Sequence, residues 1–326
     1  MERVTKKRLA LYSGRTHLAL AQEIALHLDI ELGDPYLVDF ANGELRPRFS
    51  ESIRGTDVFI IQTHAAADGR SINDAVMETL IMVDAARRAS AKRITVVCPF
   101  YAYARQDRKA SGREPITAKL LANMFTAAGT KRVVSVDLHS GQIQGFFDQP
   151  VDHLTAMPVL VEALRGLGDD IVVVSPDTGR VKVAEKYAQT LHADLAFVYK
   201  SRRQDQKNVV EAKEVIGDVD GRTCVLIDDM IDTGGTIVAA AELLSARGAK
   251  RVLCATTHGV FSGPAIDRLK NSVIEKVYVT NTLPLPSEKQ IDKIEVLSIA
   301  PVIARAIDAV FEDTSVSEIF DGKNLS

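Results

Sequence analysis

VLIDDMIDTGGT, Val225 to Thr236, is the stretch that decides the fold class. An apolar β-branched run ends in two carboxylates, Asp228 and Asp229, continues to a third, Asp232, and enters a helical pattern through Thr233, Gly234, Gly235 and Thr236. A strand that delivers polar groups at its carboxyl end and turns directly into a helix is the repeating unit of an α/β sheet. The backbone N–H groups at the start of such a helix can cradle a phosphate. Gly234 and Gly235 allow close approach, and the Thr233 and Thr236 hydroxyls add donors. Asp228 and Asp229, just upstream, can accept hydrogen bonds from vicinal sugar hydroxyls but would repel a bare phosphate, so a sugar phosphate suits the loop better. The plainer alternative is an acidic strand end followed by a helix capped by Asp232 or Thr233. The order of apolar strand, paired acids and TGGT turn favours the ligand loop. There is no GK[ST] lysine, so this is not a Walker A sequence, and a nucleoside triphosphate is expected to bind elsewhere.

Outward from this loop, short β-branched runs recur at RLALYSG, DVFIIQTH, RITVVCPF, RVVSVDL, DIVVVSPD, DLAFVYK, KRVLCATTHGV and KVYVTNT. They alternate with helical patterns at His17 to Leu28, Ile72 to Ala89, Ile116 to Ala128, Val181 to Leu191, Ile237 to Ala246 and Pro301 to Phe311. Alternation of this kind predicts parallel sheets covered on both faces by helices. ASAKRITVVC, AAGTKRVVSV and ARGAKRVLCA each read as helix end, turn, basic pair and strand, which is a duplicated plan or the common chemistry of an αβ turn. At 326 residues two domains are expected. The break is placed near Gln149 to Pro158, QPVDHLTAMP, giving domains 1–157 and 158–326.

Composition excludes several functional classes. Forty Lys and Arg against 43 Asp and Glu leave a net charge of -3, with no broad basic field to attract nucleic acid. No run approaches the roughly 18 apolar residues that span a bilayer, and the start lacks a signal-peptide core, so the cytoplasm is the expectation. Cys98, Cys224 and Cys254 sit singly in apolar runs and read as buried packing.

Ligands of open parallel sheets sit beyond the carboxyl ends of the strands. The residues there include PFYAYARQD (Pro99 to Asp107), DLHS (Asp137 to Ser140), SPDTG (Ser175 to Gly179) and YKSRR (Tyr199 to Arg203). Read alone, the RQDRK segment is equally well a solvated charged turn. His139 stands out by its strand-end position, whereas His17, His27, His153 and His192 read as structural.

FANGELRPRFSESIRG, YARQDRK, EPITAKLLANM, VDLHSGQIQGFFDQPVDHL, VSPDTG, IDDMIDTGGT, THGVFSGPA, VTNT and the tail SVSEIF resemble, nearly end to end, the ribose-phosphate diphosphokinases of the bacterial class I type. The resemblance implies two similar phosphoribosyltransferase-type α/β domains, each a mostly parallel sheet flanked by helices. It implies transfer of the β,γ-diphosphoryl group of ATP to the C1 hydroxyl of ribose 5-phosphate, with AMP released, in a cytoplasmic step of nucleotide biosynthesis. By the same resemblance, ATP contacts fall to Arg105 and Gln106 and to Asn42, Gly43 and Glu44 of an adenine-binding hairpin that reaches a neighbouring subunit. Many members have Asp at position 42. Ribose 5-phosphate falls to Asp228, Asp229 and Asp232 to Thr236, and Mg²⁺ to the vicinity of His139 and Asp177.

Lys200 and Arg202 are implied as the catalytic cations of a polar lid, KSRRQDQKNVVEAK, which reads as a loop between two strands. A closing lid neutralises charge on the transferred group and excludes water. Class I relatives are hexamers regulated by phosphate and ADP, and Ser315 and Ser317 fall in the tail that contributes to that control. Arg180 departs from the pattern, standing where many relatives have a second glycine. Two competing readings remain: a phosphoribosyltransferase that consumes phosphoribosyl diphosphate, which would not need YARQDRK or VDLHS, and a non-catalytic regulatory relative. Neither nucleic acid nor a membrane is expected as a partner.

Overall fold

A computed structural model describes residues 7–168, 170–201 and 212–320. In chain order the strands and helices of the first half are β1 (Leu9–Ser13), α1 (Leu18–His27), β2 (Leu32–Gly33), β3 (Val38–Asp39), β4 (Leu45–Arg46), β5 (Asp57–Ile61), α2 (Ile72–Arg88), β6 (Arg93–Cys98), α3 (Thr117–Ala128), β7 (Arg132–Val136) and β8 (Val151–Leu154). The second half contains α4 (Met157–Leu164), β9 (Ile171–Ser175), α5 (Val181–Leu191), β10 (Asp194–Ser201), β11 (Ala212–Ile216), β12 (Thr223–Ile231), α6 (Gly235–Ala246), β13 (Arg251–Gly259), α7 (Ala265–Asn271), β14 (Lys276–Thr280), β15 (Ile294–Leu297) and α8 (Ala300–Phe311).

Two sheets result. One is ordered β2-β1-β5-β6-β7-β8 and is parallel throughout. The other is ordered β11-β10-β9-β12-β13-β14-β15 and is parallel except for the antiparallel edge pair β10–β11. Renumbered within each unit, and setting β11 aside, both sheets follow the order 2-1-3-4-5-6. The AKR phrases before β6 and β13 mark equivalent places, the fourth strand of each plan, starting at Arg93 and Arg251, whereas the TKR before β7 starts the fifth strand of the first unit at Arg132. Strands covered on both faces read as unbroken apolar runs, and β9 and β5 are buried along their whole length.

Local chemistry agrees with this plan. Helix α2 starts in a capping box in which the Asp74 N–H donates to Ser71 Oγ at 3.2 Å and the Ser71 N–H donates to the Asp74 carboxylate at 2.8 Å. Prolines in the first turns of α4 and α8 cost no internal hydrogen bond there. The cysteines are all buried and unpaired, as their apolar surroundings predict.

The chain divides into two compact units, with the break between Thr155 and Ala156. Here the structure corrects the sequence reading, because residues 282–284 and the segment from Ile299 onward belong with the first unit. Helix α8 is amphipathic and packs against α1 and β8. Ile303 and Ile307 are fully buried, each worth about 1.5–3 kcal/mol in apolar burial. The Thr63 hydroxyl donates to the carbonyl of Thr282, and Asp313 pairs with Arg93 and Lys7. An amphipathic pattern shows that α8 covers a core but not which one.

Candidate active site

In an open sheet of this order the first reversal of strand order leaves a crevice at the carboxyl ends, between the first and third strands. The second unit uses it. Strand β9 leads to Asp177 and Arg180, and β12 carries Asp228 and Asp229 just past Leu226, where its pairing with β9 ends.

The loop after β12 is shaped by its backbone. Gly234, at φ 74°, is the N-cap of α6, a residue with no side chain to place over the helix end. The loop is tied from behind, with the Arg268 guanidinium donating to the Thr233 carbonyl at 2.9 Å and the Ser262 N–H to the Asp232 carbonyl at 2.9 Å. Thr233 and Thr236 are exposed. The sequence alternative of a helix capped by Asp232 or Thr233 is therefore not what forms. The glycine-capped N-terminus carries the positive end of the helix dipole and backbone N–H groups suited to an anion.

Asp228 and Asp229 are largely buried, and the Asp229 N–H donates to Asp228 Oδ1 at 2.9 Å. Burial first, and then the charge of Asp229, push the Asp228 carboxyl up from the ordinary range, while Arg180 pulls the other way. The Arg180 guanidinium is bonded to the Asp229 carboxylate through one terminal nitrogen and lies 3.8 Å from Asp228 Oδ1 through Nε. Thr256, the register partner of Asp228 on β13, keeps a buried hydroxyl with no hydrogen-bond partner among the described residues. Asp177 is held in a tight turn, its Oδ1 accepting from the Gly179 N–H at 2.8 Å and its carbonyl from the Ser175 hydroxyl at 2.6 Å.

The first unit closes its own crevice internally. A Cβ on Gly14 would stand 2.3 Å from the Gln62 amide carbon, so any larger residue there would have to displace the Gln62 side chain. Thr16, Gln62 and the buried Glu78 fill the space with hydrogen bonds. Its exposed chemistry lies on neighbouring segments. After β6, Gln106 is held by a 2.6 Å bond from the Thr117 hydroxyl to its side-chain oxygen and by its N–H to the Tyr103 carbonyl at 2.8 Å, and Arg105 is exposed beside it. The Gln142 amide donates to the Asp107 carboxylate, joining the YARQD segment to the one that carries His139. The buried His153 accepts the Leu138 N–H on Nε2 at 2.9 Å and so sets the backbone next to His139.

Strands β3 and β4 form the hairpin of FANGEL. Asn42, Gly43 and Glu44 lie in its exposed turn, with the Gly43 N–H on the Phe40 carbonyl at 2.8 Å and the Glu44 N–H on Asn42 Oδ1 at 3.2 Å. At its base Asp39 accepts two bonds from Arg15, at 2.8 and 2.9 Å, and one from Arg70 at 2.7 Å. Arg15 is itself fastened to Glu78 at 2.6 Å.

Lys200 lies in β10, in register with Lys213, where the sequence had suggested the start of a loop. Arg202 and Arg203 lie outside the described residues. Among the described residues no group of three or more His, Cys, Asp or Glu side chains is placed to hold a metal. A hard cation that takes one or two protein oxygens and completes its shell with phosphate and water fits Asp177 as a single donor.

The N-terminal domain model of ribose phosphate pyrophosphokinase matches residues 9–129, and the phosphoribosyl synthetase-associated domain model matches residues 210–321. A ribose-phosphate pyrophosphokinase of Streptomyces coelicolor is 55% identical over 318 residues, 97% of each chain. That of Mycobacterium tuberculosis is 51% identical over 97% of each chain. The chain belongs to the ribose-phosphate pyrophosphokinase family. Phosphoribosylpyrophosphate synthetase from Mycobacterium smegmatis superposes with a TM-score of 0.88 at 51% identity, over 94% of this chain and all of that one. The likeness therefore extends over both units.

The sequence reading missed the Arg15–Glu78–Asp39 clamp and the ion pair of Arg180 with the acids of β12, whereas His153, read as structural, is buried and bonded to backbone. Arg180 alone had left a signal, as a departure from the family pattern.

Proposed function

We propose that this member of the family works through the strand-end groups just described. The reaction is that of a ribose-phosphate diphosphokinase: the β,γ-diphosphoryl group of ATP passes to the C1 hydroxyl of ribose 5-phosphate, giving 5-phosphoribosyl 1-diphosphate and AMP. The observation that carries the reading is the pairing, in one crevice of the second unit, of a glycine-capped helix N-terminus with two buried carboxylates. The 5-phosphate suits the N–H groups of residues 233–236, and the ribose hydroxyls suit Asp228 and Asp229 as acceptors.

ATP would be met by residues of the first unit: Arg105 through its fork of donors, Gln106 held in place by Thr117, and the Asn42–Glu44 turn against the base. Phosphoryl transfer asks mainly for alignment of O1 with the β-phosphorus opposite the departing AMP oxygen, and for charge neutralisation. Lys200 and Arg202 are assigned the second task. Mg²⁺, when bound near Asp177 and His139, would neutralise phosphate oxygens and mask their repulsion. Hexamer assembly, control by phosphate and ADP, and a cytoplasmic setting complete the proposal.

Incubation with ATP and ribose 5-phosphate should release AMP. No AMP, together with diphosphate release from phosphoribosyl diphosphate and a base, would instead support a phosphoribosyltransferase. For the lid, Lys200→Ala should lower turnover ~100-fold or more while leaving ribose 5-phosphate affinity nearly unchanged; unchanged turnover would remove Lys200 from the mechanism.

A further inference from the structure

The paired acids of β12 already have a cation. Arg180 stands at the N-terminal boundary of α5, on the β9 side of the crevice, and its guanidinium reaches across to Asp229 and Asp228 on the neighbouring strand. Its side chain is 18% exposed and the two carboxylates are 18% and 7% exposed, so the contact is sheltered from bulk water. A guanidinium is charged at every accessible pH and fixes its partners in a planar, directed geometry.

Two adjacent carboxylates beside a phosphate-binding loop could serve the sugar in two ways. They could hold a divalent cation that in turn binds the hydroxyls, or they could meet the hydroxyls directly. The two require different electrostatics. A divalent cation needs the carboxylate oxygens facing it and no fixed positive charge within bonding distance, since like charges this close in a sheltered site repel strongly. Direct acceptance of hydroxyl protons needs carboxylate oxygens left free to accept, with the repulsion between the two acids offset.

We propose that Arg180 is a built-in counter-cation that closes the Asp228–Asp229 pair to divalent metal, so that the carboxylates receive the sugar hydroxyls directly. It is a positioning residue, acting on the sugar through the carboxylates it orients. The sugar role rests on the functional reading above; the exclusion of metal stands on the ion pair alone. The proposal also assigns a consequence to the one position in SPDTGR that departs from the glycine of many relatives.

The test counts Mn²⁺ bound to the full chain without substrates, by electron paramagnetic resonance or equilibrium titration. Arg180→Gly and Arg180→Gln should each bind one more Mn²⁺ per chain than the starting protein, and Arg180→Lys should not. Adding Asp229→Asn to Arg180→Gln should remove the extra ion. If Arg180→Gly fails to fold, the Gln variant, which keeps most of the side chain's bulk, decides the matter. Equal stoichiometry in the starting protein and the folded Gln variant would overturn the proposal, as would an extra ion that survives Asp229→Asn. Turnover with ribose 5-phosphate is measured in parallel. Its absence in the starting protein would refute the functional reading and leave the metal count to judge Arg180.

Discussion

At the scale of single residues, His64 shows how far a side chain can be committed to the fold while standing next to candidate chemistry. It lies at the carboxyl end of β5, fully buried, stacked on Phe125 at 5.7 Å between centroids. The Ala102 N–H donates to its Nδ1 at 3.3 Å, so the proton is assigned to Nε2, which has no partner among the described residues. Cys98 Sγ lies 3.2 Å from the same Nδ1 and donates to the Phe100 carbonyl at 2.9 Å. Burial pushes the His64 pKa down from 6.5 to about 3. Between those values the unfolded chain binds a proton that the folded chain refuses, so stability is full above about pH 6.5 and is lost as pH falls toward 3. The loss approaches about 1.4 kcal/mol per pH unit for this group. Denaturant midpoints followed from pH 7 to pH 4 should fall more steeply for the starting protein than for His64→Gln. A difference between the two that does not change with pH would contradict the assignment. In the sequence His64 was one polar residue ending an apolar run, and nothing there distinguished a buried imidazole from one facing a ligand.

Among elements, the hairpin of β3 and β4 is the clearest case of a candidate binding segment whose position is set elsewhere. The turn residues Asn42, Gly43 and Glu44 are exposed and bonded mostly to one another. Orientation comes from its base, where Asp39 is gripped by Arg15 and Arg70, and Arg15 is anchored on Glu78, which is 2% exposed and also accepts from Gln62 at 2.9 Å. Arg15 and Arg70 hold the Asp39 carboxyl below its ordinary pKa. Glu78→Ala would strand Arg15 and the Gln62 amide in a sheltered place, at a cost of about 3–5 kcal/mol. If the hairpin contacts ATP, the same change should raise the KM for ATP ~10-fold with little change in that for ribose 5-phosphate. A destabilised variant with an unaltered KM for ATP would separate the clamp from nucleotide binding. The hairpin was implied by the family resemblance of FANGEL, and the helical pattern of α2 was legible in the sequence itself. The link between them was not, because it joins Asp39, Arg15 and Glu78 across long sequence separations and no local pattern carries it.

For the whole molecule, periodicity was enough to give nearly every long strand and helix, since strands buried on both faces can only be apolar runs and the AKR turns repeat. What it could not supply were partners. The sequence pattern of α8 demands a core but does not name the first unit's. β8, β11 and β15 are edge strands whose short, mixed sequences carry little apolar signal. At the site, VLIDDMIDTGGT was legible because its function requires backbone shape and acidic residues in a fixed local order. Arg180 was visible only as an exception, since its meaning depends on the strand order that sets β9 beside β12. The central claim for the molecule is the direction of the chemistry: a diphosphoryl group is moved from ATP onto ribose 5-phosphate. The most direct measurement supplies ATP labelled in its β-phosphate together with ribose 5-phosphate and Mg²⁺, and separates the products. The label should appear in 5-phosphoribosyl 1-diphosphate, with unlabelled AMP formed in equal amount. Label recovered in ADP, or no AMP from a folded protein, would contradict the account.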